Sequence, residues 1–160
     1  MITPPAFARE VRLRRLFSRP SGRAVIVAWA HGPLLGPIAG TGRAAIERLG
    51  SELAAADGLI VSLSMLPGVR ELLARRDRPS LFVLQHWQSV SRPVGMLGYQ
   101  DDGATAPLLS VDEAAQLGAD GVMTYLYVGW EDPAREAAEV AYVADVSRRC
   151  RQLGLLHIVE

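Results

Sequence analysis

The sequence predicts an α/β protein, a parallel sheet whose strands alternate with covering helices. Three observations carry this. Five short runs, Ala24–Ala30, Leu59–Leu63, Ser80–Gln85, Val122–Val128 and Leu155–Val159, are nearly continuous in apolar residues, as strands buried on both faces are. Segments with apolar residues at helical spacing lie between them, on short connections. Asp57-Gly58 precedes the second run and Ala119-Asp120-Gly121 the fourth, a turn used twice.

The first element is an amphipathic helix over Pro5–Ser18. Phe7, Val11, Leu13, Leu16 and Phe17 form its apolar side, and Arg12, Arg14 and Arg15 read as a solvated face. Pro20-Ser21-Gly22 ends it. The first strand stops abruptly at His31-Gly32-Pro33, which places His31 at the strand's C-terminal mouth, where open parallel sheets keep their ligand sites. The glycine-rich loop Leu34–Gly42 fits neither a P-loop nor a dinucleotide fingerprint. Thr41 is placed to cap a helix over Gly42–Ala55 with Ile46, Leu49 and Leu53 inward. A further helix, Ser64–Arg76, has Pro67 in its first turn and Val69, Leu72 and Leu73 inward.

Strand three ends at His86-Trp87. The irregular stretch Ser89–Ala106 that follows is long enough to be functional or mobile. Ser110–Glu113 has the form of a capping box opening the helix Val111–Leu117. Strand four stops at Gly129-Trp130. Glu131-Asp132-Pro133 then opens a long helix through Leu153, with Ala137, Val140, Val143 and Val146 on one face and Cys150 as a packing residue. Gly154 terminates it.

The chain has 160 residues, enough for one domain with a real core, and its 49% apolar and 21% charged content excludes a disordered tail. Formal net charge is zero, and no basic stripe points to nucleic acid. No apolar run approaches the roughly 18 residues of a membrane helix, so no membrane partner is expected. A single cysteine and no signal-peptide pattern point to the cytoplasm. All 17 basic residues are Arg; without Lys there is no side-chain amine for Schiff-base catalysis.

Trp29, Trp87 and Trp130 fall at or just past the ends of strands one, three and four. Those ends lie on one side of a parallel sheet, so the indoles are expected near one mouth, either as a stacking surface for a ligand or partner or as packing of the rim. His31 and His86 share that side. A metal needs a third ligand, and no spacing offers one, so neither metal nor cofactor is expected. Tyr125 and Tyr127 share one face of strand four, and His157 reads as a packed histidine. Ser62 and Ser64 have no base beside them, which leaves a hydrolase without support.

The segments RLRRLF…SGRAVIVAWAHG, LGPIAG and EAAQLGADGVMTYLYVGWEDPAREAAEVAYVADVSRRCRQLGLLHIVE resemble the archaeal-type class I aldolases. That family includes class I fructose-bisphosphate aldolases and aminodideoxyheptulosonate synthases, and is grouped with deoxyribose-phosphate aldolases. The resemblance implies a TIM (β/α)8 barrel, of which this chain holds about five parallel strands with covering helices. It is then a single incomplete domain over 1-160, with 1-22 as a helix and turn covering the barrel's N-terminal end.

The implied activity is that of a lyase working through an imine between Lys and a phosphorylated sugar or keto acid. The family's pattern has Asp-His-Gly at the end of strand one, a Tyr just beyond strand five, Lys on strand six and phosphate loops on the last two strands. His31 and Gly32 match, but Ala30 stands at the Asp position. The sequence ends at Glu160, so the Tyr, the Lys and the phosphate loops have no counterpart. The expectation is a truncated or degenerate family member, inactive alone and with no catalytic residue. Its ligand-side mouth comprises Trp29, Ala30, His31, Gly32, His86, Trp87, Tyr127 and Trp130. The alternative is a non-catalytic binding or assembly subunit. Expected partners are a phosphorylated sugar or keto-acid ligand and, to cover the open sheet, a second copy or a complementary barrel fragment.

Overall fold

The apolar runs become one parallel sheet in the computed structural model, which describes residues 3–30, 32, 38–88, 93–94, 98–99 and 105–160. Its strands are β1 (Ile26–Trp29), β2 (Gly58–Val61), β3 (Ser80–Leu84), β4 (Gly121–Thr124) and β5 (Leu156–Val159). They lie in the order β1-β2-β3-β4-β5, each parallel to its neighbour. A doubly wound sheet reverses strand order at a switch point, whereas this sheet proceeds in chain order throughout, as the wall of a barrel does.

Alternation along each strand divides the core in two. Leu59, Val61, Leu81, Val83 and Val122 face outward into one cluster. They meet Ile46 of α2 (Arg43–Arg48), Leu53 of α3 (Gly50–Leu53), Leu72 of α4 (Arg70–Leu73), Val111 and Ala114 of α5 (Val111–Gln116), and Val146 and Cys150 of α6 (Pro133–Leu153). Ala30, Ile60, Phe82, Leu84, Met123 and Leu156 face inward into a second cluster, joined by Leu16 and Leu13 of α1 (Pro4–Leu16).

The repeated Asp-Gly turn is a device for starting strands. Asp57 accepts a hydrogen bond from the Val25 N–H at 2.7 Å and pairs with Arg19, and its pKa is held below the usual value, first by Arg19 and then by that N–H. Asp120, buried, accepts from the Leu81 N–H at 2.9 Å and is surrounded by Arg12, Arg15 and Arg78. Each carboxylate satisfies an N–H of the neighbouring strand's beginning and ties it to flanking arginines. The glycine that follows makes room. A Cβ at Gly121 would lie 2.4 Å from the Leu156 carbonyl oxygen and 2.9 Å from Phe82.

Several sequence expectations are corrected. Arg12 and Arg15 are not a solvated face; they pair with Asp120, whereas Arg14 does pair at the surface, with Glu10. Phe7, Val11 and Phe17 are exposed, because α1 lies across the end of the sheet and buries only the Leu16 end. The helix expected over Gly42–Ala55 breaks at Leu49 into α2 and α3. The one expected over Ser64–Arg76 is a 3-10 turn, Leu63–Val69, running into α4, since Pro67 has no N–H to donate.

Strand four ends at Thr124, short of Val128. In α6, Val143, Val146 and Cys150 are buried, but Ala137 and Val140 are exposed on another flank. The stretch Ser89–Ala106, expected to be irregular, is flanked by an antiparallel pair of His86–Gln88 with Thr105–Pro107 and holds a second, Pro93–Val94 with Gly98–Tyr99. The Ser110–Glu113 capping box forms as expected, with both reciprocal bonds present.

Candidate functional site

The C-terminal ends of the strands carry the residues singled out from the sequence, and the fold sorts them onto different sides. His31 lies outside the described residues. Ala30 is buried in the inner cluster, and Gly32 is exposed. Trp29 points the other way. Its indole packs against the outer cluster and donates from Nε1 to the Thr41 carbonyl at 2.8 Å, pinning the segment before α2. Trp87 sits in the short antiparallel pair, opposite Ala106.

Trp130 lies beside the start of α6, with the Arg135 guanidinium stacked 3.7 Å from its ring centroid. Its backbone N–H and that of Gly129 both donate to Glu136. Asp132 caps α6 by accepting from the Ala134 N–H at 2.9 Å.

His86 is fully buried, edge-on to Tyr125 at 6.2 Å and to Tyr142 at 5.5 Å between ring centroids. Tyr127 continues the series, tilted against Tyr125 at 6.1 Å. Sequence reasoning placed His86 and Tyr127 near one mouth and put Tyr125 on the same strand face as Tyr127; the three rings form one chain. It missed the groups behind them. The Tyr142 hydroxyl donates to Gln85 Oε1 at 2.7 Å, and Gln85 Nε2 donates to the Leu109 carbonyl at 2.9 Å. Thr105 bonds to Glu139, which is buried. The one signal available was that Glu139 and Tyr142, three apart in α6, stand on its sheet-facing side.

Burial pushes the Tyr125 pKa far above its usual value, with the nearby Glu160 and Tyr127 adding to it. Burial raises Tyr142 too, against the opposing hydrogen bond to Gln85 and reinforced by Glu139. These phenols therefore remain protonated at neutral pH and act as hydroxyl donors. His157 bonds through Nε2 to Thr124 at 2.8 Å and through Nδ1 to Ser147 at 2.6 Å. Its pKa is pushed down to about 4, by burial first and then by His86. Burial lifts the Cys150 thiol to about 11, only partly offset by Arg151, so it is a packing group. Among the described residues no group of three His, Cys, Asp or Glu side chains is placed to hold a metal ion.

No protein-family model matches the sequence. Curated proteins do, among them the following two. An uncharacterized aldolase of Saccharolobus solfataricus is 30% identical over 156 residues, which is 94% of this chain and 54% of that protein. The 2-amino-4,5-dihydroxy-6-oxo-7-(phosphonooxy)heptanoate synthase of Streptomyces griseus is 30% identical over 145 residues, 89% of this chain and 49% of the synthase. Among solved structures, an archaeal fructose 1,6-bisphosphate aldolase superposes with a TM-score of 0.68 at 22% identity, covering 95% of this chain and 56% of that one.

In sequence the chain is similar to this aldolase and this synthase, and in fold to the solved aldolase. It spans about half the length of the curated relatives it matches. The aldolase likeness accounts for the strand order, since five parallel strands in sequence are a partial (β/α)8 barrel. The inner cluster is then the barrel interior, with α1 at its N-terminal end.

Proposed function

We propose that this chain forms the N-terminal half of a class I aldolase-type barrel. Its inner face supplies one wall of a site for a phosphorylated sugar or keto acid, and it does not form the substrate imine by itself. The observation that carries the reading is the absence of Lys from all 160 residues of a chain with this sheet and these relatives. Cleaving a carbon–carbon bond beside a ketone needs an electron sink. An imine provides it, and only a primary amine forms one; guanidinium stays protonated and is a poor nucleophile.

The methyl of Ala30, where the family's pattern carries Asp, cannot shuttle a proton. On this reading the wall binds and orients. Tyr127 and Tyr125 offer hydroxyl donors on the side of the buried His86, and His31-Gly32 is the part of the family's strand-one pattern that this sequence keeps. The imine-forming amine comes from the complementary half-barrel. The setting is cytoplasmic, consistent with a chain in which no helix of the described residues is long and apolar enough to cross a membrane.

Borohydride reduction in the presence of dihydroxyacetone phosphate tests this. The chain alone is expected to gain no mass. A stable adduct on it would overturn the reading. A second reading, a purely assembling subunit with no ligand of its own, is favoured by the exposed Val128, Val140 and Val159 beside the last strands. Calorimetric binding of dihydroxyacetone phosphate to the chain separates the two.

A further inference from the structure

Three guanidinium groups share one carboxylate at the N-terminal end of the sheet, the end opposite the mouth. Asp120, on the turn before β4, accepts from Arg15 of α1 on Oδ1. Its Oδ2 accepts from Arg78 Nη1, on the segment before β3, at 2.8 Å and from the Leu81 N–H at 2.9 Å. Arg12 of α1 is left over. Its Nε stands 3.8 Å from Oδ1, is buried, and has no hydrogen-bond acceptor among the described residues. One carboxylate is oversubscribed by the donors around it.

The charge balance is uneven as well. Three cations against one anion leave a formal charge of +2. The nearby acids on the same segments are engaged elsewhere, Glu10 by Arg14 and Asp77 by Arg75. Loss of a proton gives no relief, because guanidinium stays charged at any ordinary pH. Each fork carries five N–H donors, and Arg12 and Arg78 spend only part of theirs on the Gly154 and Pro79 carbonyls. The Arg12, Arg15 and Arg78 side chains are 26%, 43% and 23% exposed, against 5% for Asp120. Asp120 thus gathers the cations from the buried side, and their outer edges remain open to water.

We propose that this cluster is a binding site for an oxyanion, with Arg15 and Arg78 donating to it and Arg12 adding charge. The chemistry selects a dianionic phosphoryl group, free or as a monoester. Two negative charges match the excess, and phosphate oxygens accept the paired N–H bonds of a guanidinium fork. A monovalent anion leaves one positive charge uncompensated. The site lies at the other ends of the strands from the mouth, and it stands or falls independently of the function proposed above.

Titration calorimetry with inorganic phosphate, at ionic strength held constant with chloride, tests this. Saturable binding is expected, with a melting temperature raised above that in chloride alone. Arg15→Gln and Arg78→Gln should each weaken binding by about tenfold or more. Arg14→Gln, on the same helix but paired with Glu10, should change it by less than about twofold. Repeating the titration with glycerol phosphate separates the two sources: tighter binding assigns a monoester, weaker binding the free ion. A measurement on the unaltered chain removes any dependence on how the variants fold. Phosphate should slow phenylglyoxal labelling of Arg15 and Arg78, read by peptide mass, and leave Arg14 unprotected. No saturable binding beyond chloride overturns the proposal. So does undiminished affinity in folded Arg15→Gln or Arg78→Gln, or protection confined to other arginines.

Discussion

At the scale of single residues, Asp120 is the group on which the N-terminal end of the sheet depends. It is buried, and it joins Arg12 and Arg15 of α1, Arg78 and the Leu81 N–H. Asp120→Ala would leave a strand N–H and several guanidinium groups without their common acceptor. The expected loss is about 3 kcal/mol in urea unfolding, with Asp120→Asn losing less because it retains an acceptor for Leu81.

His157 supplies a pH dependence. Its folded pKa is about 4 against an ordinary 6.5, so between those values the unfolded chain takes up a proton that the native protein refuses. Its contribution to stability is therefore complete above pH 6.5 and declines as pH falls toward 4. The urea midpoint should drop across that interval, and His157→Gln should flatten the drop. Asp57, with a lowered pKa, adds a further loss at more acidic pH, as it is protonated and releases Arg19.

Between elements, the junction of α1 with the end of α6 decides whether the barrel's N-terminal end is covered. Gly154 ends α6 at φ +68°, and a Cβ there would come 2.6 Å from the Pro5 carbonyl oxygen and 2.8 Å from the Ala8 methyl. The Gly154 carbonyl also accepts from Arg12 at 2.9 Å. Gly154→Ala combines left-handed strain with displacement of α1 and should cost roughly 2 kcal/mol, visible as a lowered melting temperature. Gly22→Ala is the control. It has φ +64° but open space around its Cβ, and should lose about 1 kcal/mol at most. The same packing explains why α1 exposes Phe7 and Val11. Only its Leu13–Leu16 turn reaches the inner cluster, between Phe82 and the start of β2.

For the molecule as a whole, among the described residues, five parallel strands leave β1 and β5 as edges of the sheet and an inner face filled by α1 and the sheet's own side chains. That shape is a wall, and the proposed function follows from a wall needing closure. Much of it was legible in the residues. Nearly continuous Val, Ile and Leu runs have no polar alternate position to place in water, so they fit only strands covered on both sides. Helical segments between them force parallel pairing, because a tight hairpin cannot make a crossover. The Asp-Gly turns announced the strand starts, and the Ser110–Glu113 box announced a helix that forms as written. The composition, 17 Arg and no Lys, is the ground on which the chain is proposed not to form the imine itself.

What tertiary structure alone decided is which way each side chain faces and what meets it. Trp29 and Ala30 are adjacent in sequence and lie on opposite sides of the sheet, because successive strand residues point to opposite faces. Tyr142 and Glu139 looked like ordinary helix residues, and reach Gln85 and Thr105 only because α6 packs over the ends of β3 and β4. Arg12 and Arg15 looked solvated until Asp120, more than a hundred residues away, came beneath them. Periodicity is a property of neighbours along the chain and is written locally. Partnership depends on distances closed by folding, and no local pattern records it.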